Sequence, residues 1–151
     1  MNRTHITAPT ELLDLVGRPL GASTWLDITQ DRVNMFAEAT GDRQWIHVDP
    51  VRAAAGPFGG PIAHGYLTLA LAPMFIAEVL VVEHLAAALN YGLNKVRFPA
   101  PVPVGGQLRG VVTLKAADVR PTGIEAVFTV VFELAGSDRP ACVAEFVALY
   151  R

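Results

Sequence analysis

The sequence predicts an α+β fold in which one buried helix is followed by an antiparallel sheet. From about His64 onwards the residues are apolar nearly all round, as expected for a buried helix, and Pro73 should bend or break it. Four later segments are rich in Val, Ile, Phe and Thr, with Gly, Pro or Asp clusters between them. A helix followed by consecutive hairpin-linked strands is typical of α+β proteins. The predicted strands cover residues 91–98, 108–116, 124–134 and 141–150.

One helix and one strand are predicted at the N-terminal end. Thr10 is a capping residue and Gly17 a terminating one, which favours a short helix over residues 10–17. Apolar and polar residues then alternate over residues 23–28, as in a first strand. Both elements precede the segment that carries the candidate chemistry.

Two further helices are predicted before the buried one. Thr29 can cap a helix that Gly41 ends, with apolar residues on one face between them. Asp49 and Pro50 resemble the cap and the first residue of a short helix. Residues 56–61 form a loop, because glycine and proline dominate their composition. The polar segment between Gly41 and Asp49 therefore joins two helix ends.

Length and charge limit the class of protein. The 151 residues fit one domain, and we expect a single domain over residues 1–151. The 12 Lys and Arg and 14 Asp and Glu residues form no basic block, so we expect no nucleic-acid partner. The chain is 52% hydrophobic and only 17% charged, which is more apolar than an average monomer. This composition predicts that a second subunit covers part of the surface.

The sequence also indicates a compartment. The only cysteine, Cys142, can form no internal disulfide, which favours a reducing interior. Residues 1–10 lack the apolar core of a signal peptide. The longest apolar run, residues 62–82, is interrupted by His64, Pro73 and Glu78, so we do not interpret it as a membrane span. We therefore expect a cytoplasmic protein with no membrane partner.

The segment from Gly41 to His47 holds a carboxylate and an imidazole five residues apart, Asp42 and His47. On a regular helix this spacing separates two side chains by about 140°, and on a strand it puts them on opposite faces. The pair can converge only through an irregular turn, which Gly41 can start. Such a pair can hold a water and move its proton near neutral pH. From spacing alone, the favoured interpretation is structural: Asp42 caps the turn, and His47 is an ordinary partly buried ring.

His64 and Gly65 offer a second element of a site. The backbone N–H groups of a first helical turn have no partner within the helix and favour a developing oxyanion. Gly65 would let a substrate carbonyl approach that backbone closely. The structural alternative is that this glycine only permits close packing where the helix enters the core.

Other chemistries have weaker support. His47, Asp49 and His64 lack the spacing of a zinc motif, so we expect no metal. Neither Ser23 nor Ser137 lies in a nucleophile-elbow context, and Cys142 lies in an apolar strand that favours an inert thiol.

Phosphate recognition has only one candidate. No glycine-rich phosphate loop is visible, so a nucleotide cofactor is not expected. Lys95 and Arg97 alternate on one predicted strand and could contact the phosphates of a carrier group. As solvated strand charges they need no such role.

Two segments carry a resemblance to a known family. The sequences FAEATGDRQWIHVDP over residues 36–50 and GPIAHG over residues 60–65 are similar to the hydratase-2 signature of MaoC-like dehydratases. These are (R)-specific enoyl-CoA hydratases with the hot-dog fold. The similarity continues over residues 90–105 and so covers most of the chain. It resembles most the short branch with a single hot-dog domain, which includes nodulation protein N-like proteins.

The resemblance implies roles for the residues noted above. Asp42 and His47 would hold and activate a water, and the Gly65 amide would stabilise the enolate oxygen of a thioester. The family uses no metal or redox cofactor and makes the (R)-3-hydroxyacyl thioester. Its usual Asn and Pro are replaced by Gln44 and Trp45. Gln44 keeps the amide with one more methylene of reach, and Trp45 would wall the acyl pocket or simply pack.

The resemblance also implies an architecture and a substrate. It implies a long central helix wrapped by an antiparallel sheet, with two subunits joined edge to edge and an acyl channel near their boundary. The leading hypothesis is an (R)-specific enoyl-CoA hydratase. The alternatives are a 3-hydroxyacyl-acyl-carrier-protein dehydratase, a thioesterase and a non-catalytic protein that binds acyl thioesters. The candidate substrate contacts are Gln44, Trp45, His64, Lys95 and Arg97.

Overall fold

A computed structural model describes residues 2–151, which leaves Met1 outside the described range. The described chain begins with β1 (Thr4–Ile6), and a 3-10 helix (Pro9–Leu15) follows. The α-helix predicted over residues 10–17 is therefore wrong in type. The residue that precedes the first turn is Ala8, which has no side-chain cap, whereas Thr10 lies inside the helix. No capping bond is thus available to start a regular α-helix there.

Two short strands, β2 (Pro19–Ala22) and β3 (Leu26–Asp27), replace the single strand predicted over residues 23–28. Ser23 separates them, because its hydroxyl accepts a hydrogen bond from the Gly110 N–H (2.9 Å) and donates one to the Thr24 carbonyl (3.0 Å). A side chain bonded to backbone in this way competes with the regular strand ladder.

The predicted helix ends in the middle of the chain are confirmed. In α1 (Gln30–Thr40), the Thr29 hydroxyl accepts from the Arg32 N–H at 3.1 Å, and Gly41 ends the helix with a left-handed φ of 80°. The short α2 (Trp45–Val48) follows. In α3 (Pro50–Ala54), the Asp49 carboxylate accepts from the Arg52 N–H at 3.1 Å. These local caps set the direction of the chain at both ends of the polar segment.

The predicted central helix is divided in two. α4 (Gly65–Ala70) and α5 (Ala72–Val79) meet at Leu71, and Pro73 lies in the first turn of α5, so the predicted break is confirmed. Proline has no N–H to continue the helical ladder. The expectation of a helix buried on all sides is wrong. One face is buried, but a stripe at helical spacing is exposed, namely Tyr66, Ala70, Pro73, Met74 and Ala77.

The strands of the second half form the main antiparallel sheet. After β4 (Leu80–Val82), which pairs in parallel with β1, come β5 (Ala88–Arg97), β6 (Gln107–Arg120), β7 (Gly123–Leu134) and β8 (Cys142–Tyr150). The order in the sheet is β2-β6-β7-β8-β5, with β3 also paired to β6. All four predicted strands are confirmed, although β6 continues to Arg120 along its hairpin with β7.

The core lies between this sheet and α5. Phe75 of α5 and Phe128 and Phe132 of β7 are all fully buried. Gly110 of β6 permits this packing, because a Cβ atom there would lie 2.7 Å from the Phe75 side chain. The edge strand β5 is different, since every residue of it except Val96 is exposed. Within residues 2–151, no helix has the length and apolar character needed to cross a membrane.

Candidate active site

The irregular turn predicted between Asp42 and His47 is present. Gly41 ends α1, residues 42–44 have no regular structure, and α2 then carries His47. This turn brings Asp42 and His47 to His64, which precedes α4. One polar side-chain atom of each of the three lies within 4.8 Å of the other two. The structure therefore gathers a carboxylate and two imidazoles from two segments of the chain.

The His47 ring is held in one tautomer. Its Nδ1 lies 2.7 Å from the carbonyl oxygen of Ile62, and only 6% of the residue is exposed. Because a carbonyl can only accept a hydrogen bond, Nδ1 carries the proton in the neutral ring. Nε2 is then left with a lone pair. The backbone of α2 is fixed as well, since the Gln30 side chain donates to the His47 carbonyl at 2.8 Å.

The surroundings of His47 favour its neutral form. Burial is the largest influence and lowers the pKa from its ordinary value of 6.5. The hydrogen bond to Ile62 acts in the opposite direction, as does the charge of Asp42, whereas neighbouring His64 lowers the pKa further. The net effect is a lowered pKa, so His47 is a proton acceptor at neutral pH.

Asp42 lies at the mouth of this cluster with an exposed side chain. Its carboxylate accepts a long hydrogen bond from the Gln44 N–H, at 3.4 Å. Its backbone carbonyl lies 2.9 Å from Nε2 of His64. The carboxylate thus retains lone pairs for a further donor such as a water.

His64 was predicted to contact the substrate, but it is more deeply buried than expected for such a residue. The residue is only 2% exposed, and its ring stacks on that of His47 with centroids 3.9 Å apart and planes 23° apart. Phe36 of α1 also contacts the ring, with centroids 4.8 Å apart. The structure therefore places His64 in the layer that supports His47 and Asp42.

A cleft of about 310 Å³ opens beside His47. Gly65 lines it at the start of α4, where the first helical hydrogen bonds run from Leu67 and Thr68 to the His64 carbonyl. The N–H of Gly65 precedes that ladder, so it has no partner within the helix. Phe98 closes the opposite side, because a Cβ atom on Gly65 would lie 3.3 Å from its ring. The cleft thus presents an imidazole and a helix-start amide together.

Apolar space continues along the central helix. A second cavity, also of about 310 Å³, is lined by Tyr66 and Leu69 of α4 and by residues of β5. It shares Pro73, Asn90 and Phe146 with a third cavity of about 160 Å³ that follows α5. The cavities follow successive positions of the helix and could receive an extended apolar chain.

Gln44 and Trp45 lie outside the lining of the His47 cleft. The Gln44 carbonyl accepts from the His47 N–H at 3.0 Å, which fixes the start of α2, while its side chain is exposed. The guanidinium of Arg52 lies 4.4 Å from the centre of the Trp45 ring. A Cβ atom on Gly56 would lie 2.9 Å from the same ring. Trp45 therefore braces the turn against α3 and the loop that follows it.

Lys95 and Arg97 lie on the exposed edge strand β5. The Arg97 guanidinium donates to the Val96 carbonyl at 2.7 Å. Lys95 pairs in the sheet with Glu145, whose pKa is lowered chiefly by a hydrogen bond from Lys115. The residue after Arg97 is Phe98, so the strand leads directly to the cleft.

The geometry of the cluster argues against a metal centre. Asp49 of the predicted set caps α3, and Asp42 takes its place beside the two imidazoles. The in-plane lone pairs of two stacked rings point along nearly parallel planes and do not converge on one ion.

The serine and cysteine candidates are not assembled for nucleophilic catalysis in the described chain. Ser23 is bonded to Thr24 and Gly110, and the Ser137 hydroxyl donates to the Arg139 carbonyl in a turn. Burial raises the pKa of the Cys142 thiol to about 12. A thiol with that pKa is almost entirely protonated at neutral pH.

Sequence reasoning missed several groups that shape this site. Ile62 acts through its carbonyl, which carries no side-chain signal, and Gln30 resembles any polar residue of a first helical turn. Thr68 is 2% exposed and lines the cleft three residues after Gly65. That helical spacing was the one available signal for it.

Comparisons with known proteins find similar sequences over most of the chain. The family model described as MaoC like domain matches residues 12–132. The chain is 51% identical over 141 residues to 3-hydroxyacyl-thioester dehydratase Z of Mycobacterium tuberculosis, an alignment that covers 93% of each chain. It is 40% identical over 148 residues to Nodulation protein N of Rhizobium meliloti, which covers 96% of this chain and 92% of that protein.

Solved structures share the architecture. An (R)-hydratase from A. caviae superposes with a TM-score of 0.74 at 25% identity, covering 90% of this chain and 96% of that one. A monoamine oxidase regulatory protein from Archaeoglobus superposes with a TM-score of 0.78 at 20% identity, covering 100% and 98%. The predicted hot-dog fold is thereby confirmed.

The contact between Gly56 and Trp45 leads to a stability prediction. We expect Gly56→Ala to lower the free energy of unfolding by about 1–3 kcal/mol, because the added methyl group overlaps the indole ring. Gly60→Ala is the matched control, since nothing lies within 4 Å of a Cβ atom there. Denaturant unfolding measures this free energy. Gly56→Ala should cost less stability when it is combined with Trp45→Leu, because the smaller side chain leaves room for the added methyl group. Equal stability of the two alanine variants would contradict the packing described here.

Proposed function

Because this chain belongs to the MaoC-like dehydratase family and is therefore a hydro-lyase, we propose that it catalyses reversible hydration of a trans-2-enoyl thioester. The product is the (R)-3-hydroxyacyl thioester. The observation that carries the proposal is the neutral His47 ring, whose Nδ1 is committed to Ile62 and whose Nε2 is free to take a proton. Similar proteins are named as a dehydratase and as (R)-hydratases, and these activities are the two directions of the proposed reaction.

In the proposed mechanism, His47 and Asp42 hold one water. The Asp42 carboxylate accepts a hydrogen bond from it, and Nε2 of His47 removes its other proton. As the proton leaves, the water oxygen forms a bond to C3, the electrophilic end of the conjugated double bond. The Asp42 charge also favours the protonated form of His47 that results.

The second half of the reaction uses Gly65. The electrons of the C2–C3 double bond move towards the thioester, and negative charge accumulates on its oxygen. The Gly65 N–H at the start of α4 donates a hydrogen bond to that oxygen. His47 then returns its proton to C2, so that one hydrogen and one hydroxyl have been added. Dehydration follows the same steps in reverse.

We propose the CoA ester as the substrate, with Lys95 and Arg97 on β5 as candidate contacts for its phosphates. An acyl-carrier-protein thioester is the alternative. The acyl chain would follow the apolar cavities along α4 and α5, beyond Gly65. In this arrangement, Gln44 and Trp45 shape the turn that presents Asp42, outside the acyl path.

We further propose that the enzyme is a homodimer joined through β5. Three large apolar residues of this edge strand are exposed, Leu89, Tyr91 and Leu93. The exposed stripe of the central helix adjoins them, since Tyr66 lines the same cavity as Tyr91 and Leu93. An unpaired edge beside an apolar face is a surface that a second copy can cover. Such a dimer would enclose the cavities next to the cleft.

The proposed activity is tested by conservative substitution of the pair. We expect Asp42→Asn and His47→Gln each to lower kcat/KM about 10²–10⁴-fold, as for loss of a general acid–base group. The measurement is the loss of enoyl absorbance with a CoA thioester and, side by side, with the matching carrier-protein thioester. Asp49→Asn is the control, because its carboxylate caps α3 and is not part of the cluster. Near-wild-type rates in both Asp42→Asn and His47→Gln would refute the assignment of these two residues as the catalytic pair.

The lowered pKa of His47 predicts the pH dependence of hydration. The reaction needs the neutral ring, so kcat/KM should stay high below pH 6.5 and fall only as the pH drops through the lowered pKa. The acidic limb of the pH profile should therefore have its midpoint below 6.5. A midpoint at or above 6.5 would show that burial does not lower the pKa of the catalytic base.

The proposed dimer predicts a change in mass. Leu89→Lys combined with Leu93→Lys puts charge on the edge strand and should give a monomer by size-exclusion chromatography with light scattering. Met35→Lys combined with Val51→Lys is the control, because these exposed residues belong to α1 and α3 and not to β5. The same mass for both double variants would argue against this interface.

A further inference from the structure

His64 contacts both members of the proposed catalytic pair. Its Nε2 lies 2.9 Å from the Asp42 carbonyl oxygen, and its ring stacks on His47 at 3.9 Å. It also directly precedes Gly65, the proposed oxyanion donor. One side chain therefore adjoins the water-holding carboxylate, the base and the amide.

We propose that His64 is a positioning residue that holds Asp42 and His47 in one geometry, by a hydrogen bond to the first and by ring stacking on the second. The inference rests on the proposed function, because it concerns the same site. It differs from the predicted role of His64 as a substrate contact, since the ring acts on the enzyme's own groups.

The hydrogen bond fixes the His64 tautomer. The Asp42 carbonyl can only accept, so Nε2 of His64 carries the proton. Nδ1 is then an acceptor, and it is buried without a partner in the described chain. Buried polar atoms are normally satisfied. A phenylalanine at position 64 would fill the space between Phe36 and His47 without leaving a nitrogen unpaired. The hydrogen bond from Nε2 to the Asp42 carbonyl therefore explains why this position holds a histidine.

That bond is the strongest hold on the Asp42 backbone. Residues 42–44 belong to no helix or strand. The other bonds of Asp42 itself are long: its N–H donates to the Thr40 hydroxyl at 3.4 Å, and its carboxylate accepts from the Gln44 N–H at 3.4 Å. The contact with His64 at 2.9 Å ties Asp42 to the residue that precedes α4. The carboxylate and the Gly65 amide thus keep a fixed separation.

Stacking acts on the other catalytic group. The Ile62 carbonyl holds one edge of the His47 ring, and His64 supports its face. The titratable groups beside His47 are His64, which lowers its pKa, and Asp42, which raises it. Loss of the His64 imidazole removes one of the influences that lower the His47 pKa.

The kinetic test compares two substitutions. His64→Phe keeps a ring but lacks the donor, and we expect kcat to fall about 10²-fold with KM within about threefold of wild type. His64→Gln keeps a donor near the Nε2 position and should recover kcat to within about tenfold of wild type. His84→Phe is the matched control, because His84 is exposed and outside the cluster. Thermal unfolding verifies that each variant is folded.

Three kinetic outcomes overturn the proposal. The first is a kcat for His64→Phe within about threefold of wild type. The second is a rise of KM with unchanged kcat, which would indicate a substrate contact. The third is a kcat for His64→Gln as low as that for His64→Phe, because the hydrogen bond would then have no role. Absence of turnover by the wild-type enzyme is a separate result, which refutes the proposed function itself.

Nitrogen NMR of the histidine rings tests the proposal without measuring turnover. The chain has only 4 histidines, so the ring signals can be assigned by single substitutions. We expect wild-type His64 to carry its proton on Nε2 and His47 to carry it on Nδ1. In His64→Phe, the titration midpoint of His47 should move up towards 6.5. A wild-type His64 protonated on Nδ1 would overturn the proposal, even if His64→Phe failed to fold.

Discussion

Ile62 joins the two segments of the site through both of its backbone groups. Its N–H donates to the Ile46 carbonyl at 2.9 Å, and its carbonyl accepts from Nδ1 of His47 at 2.7 Å. The next residue, Ala63, donates to the Val102 carbonyl at 2.8 Å, which ties the same strand-like segment to the wall of the cleft. The position of the imidazole, its tautomer and the entry into α4 all depend on this pairing. A change in the backbone there would shift every group of the site together.

Burial then determines the chemical state of the site. Two imidazoles share a pocket that excludes most water, and burial there disfavours a positive charge on His47. His47 is thereby kept neutral, whereas the exposed Asp42 carboxylate stays in contact with solvent. The fold separates the two side chains by depth: the imidazole that we propose as the base is inside, and the carboxylate that we propose holds the water is at the mouth. The short α2 makes this possible by turning the chain inward within one helical turn.

Local signals made much of the fold and part of the site predictable. Thr29 with Gly41, and Asp49 with Pro50, are caps whose hydrogen bonds lie within a few residues, so sequence alone located α1 and α3. The predictions that were wrong concern elements whose structure depends on partners distant in the sequence. Ser23 interrupts its strand because of Gly110, which lies 87 residues away in the sequence. The stacking of His64 on His47 and the carbonyl of Ile62 likewise leave no periodic pattern to detect.

The one thiol of the chain lies next to the site, and its state matters for the proposed substrate. Ala141 lines the cleft, and Cys142 follows it directly. A thiolate so close to a thioester would capture the acyl group by exchange, leaving an acylated protein and a free carrier thiol. Full burial in β8, with a pKa of about 12, keeps Cys142 protonated and out of reach. The sheet interior would thus protect the activated acyl group of the proposed substrate from reaction with this thiol.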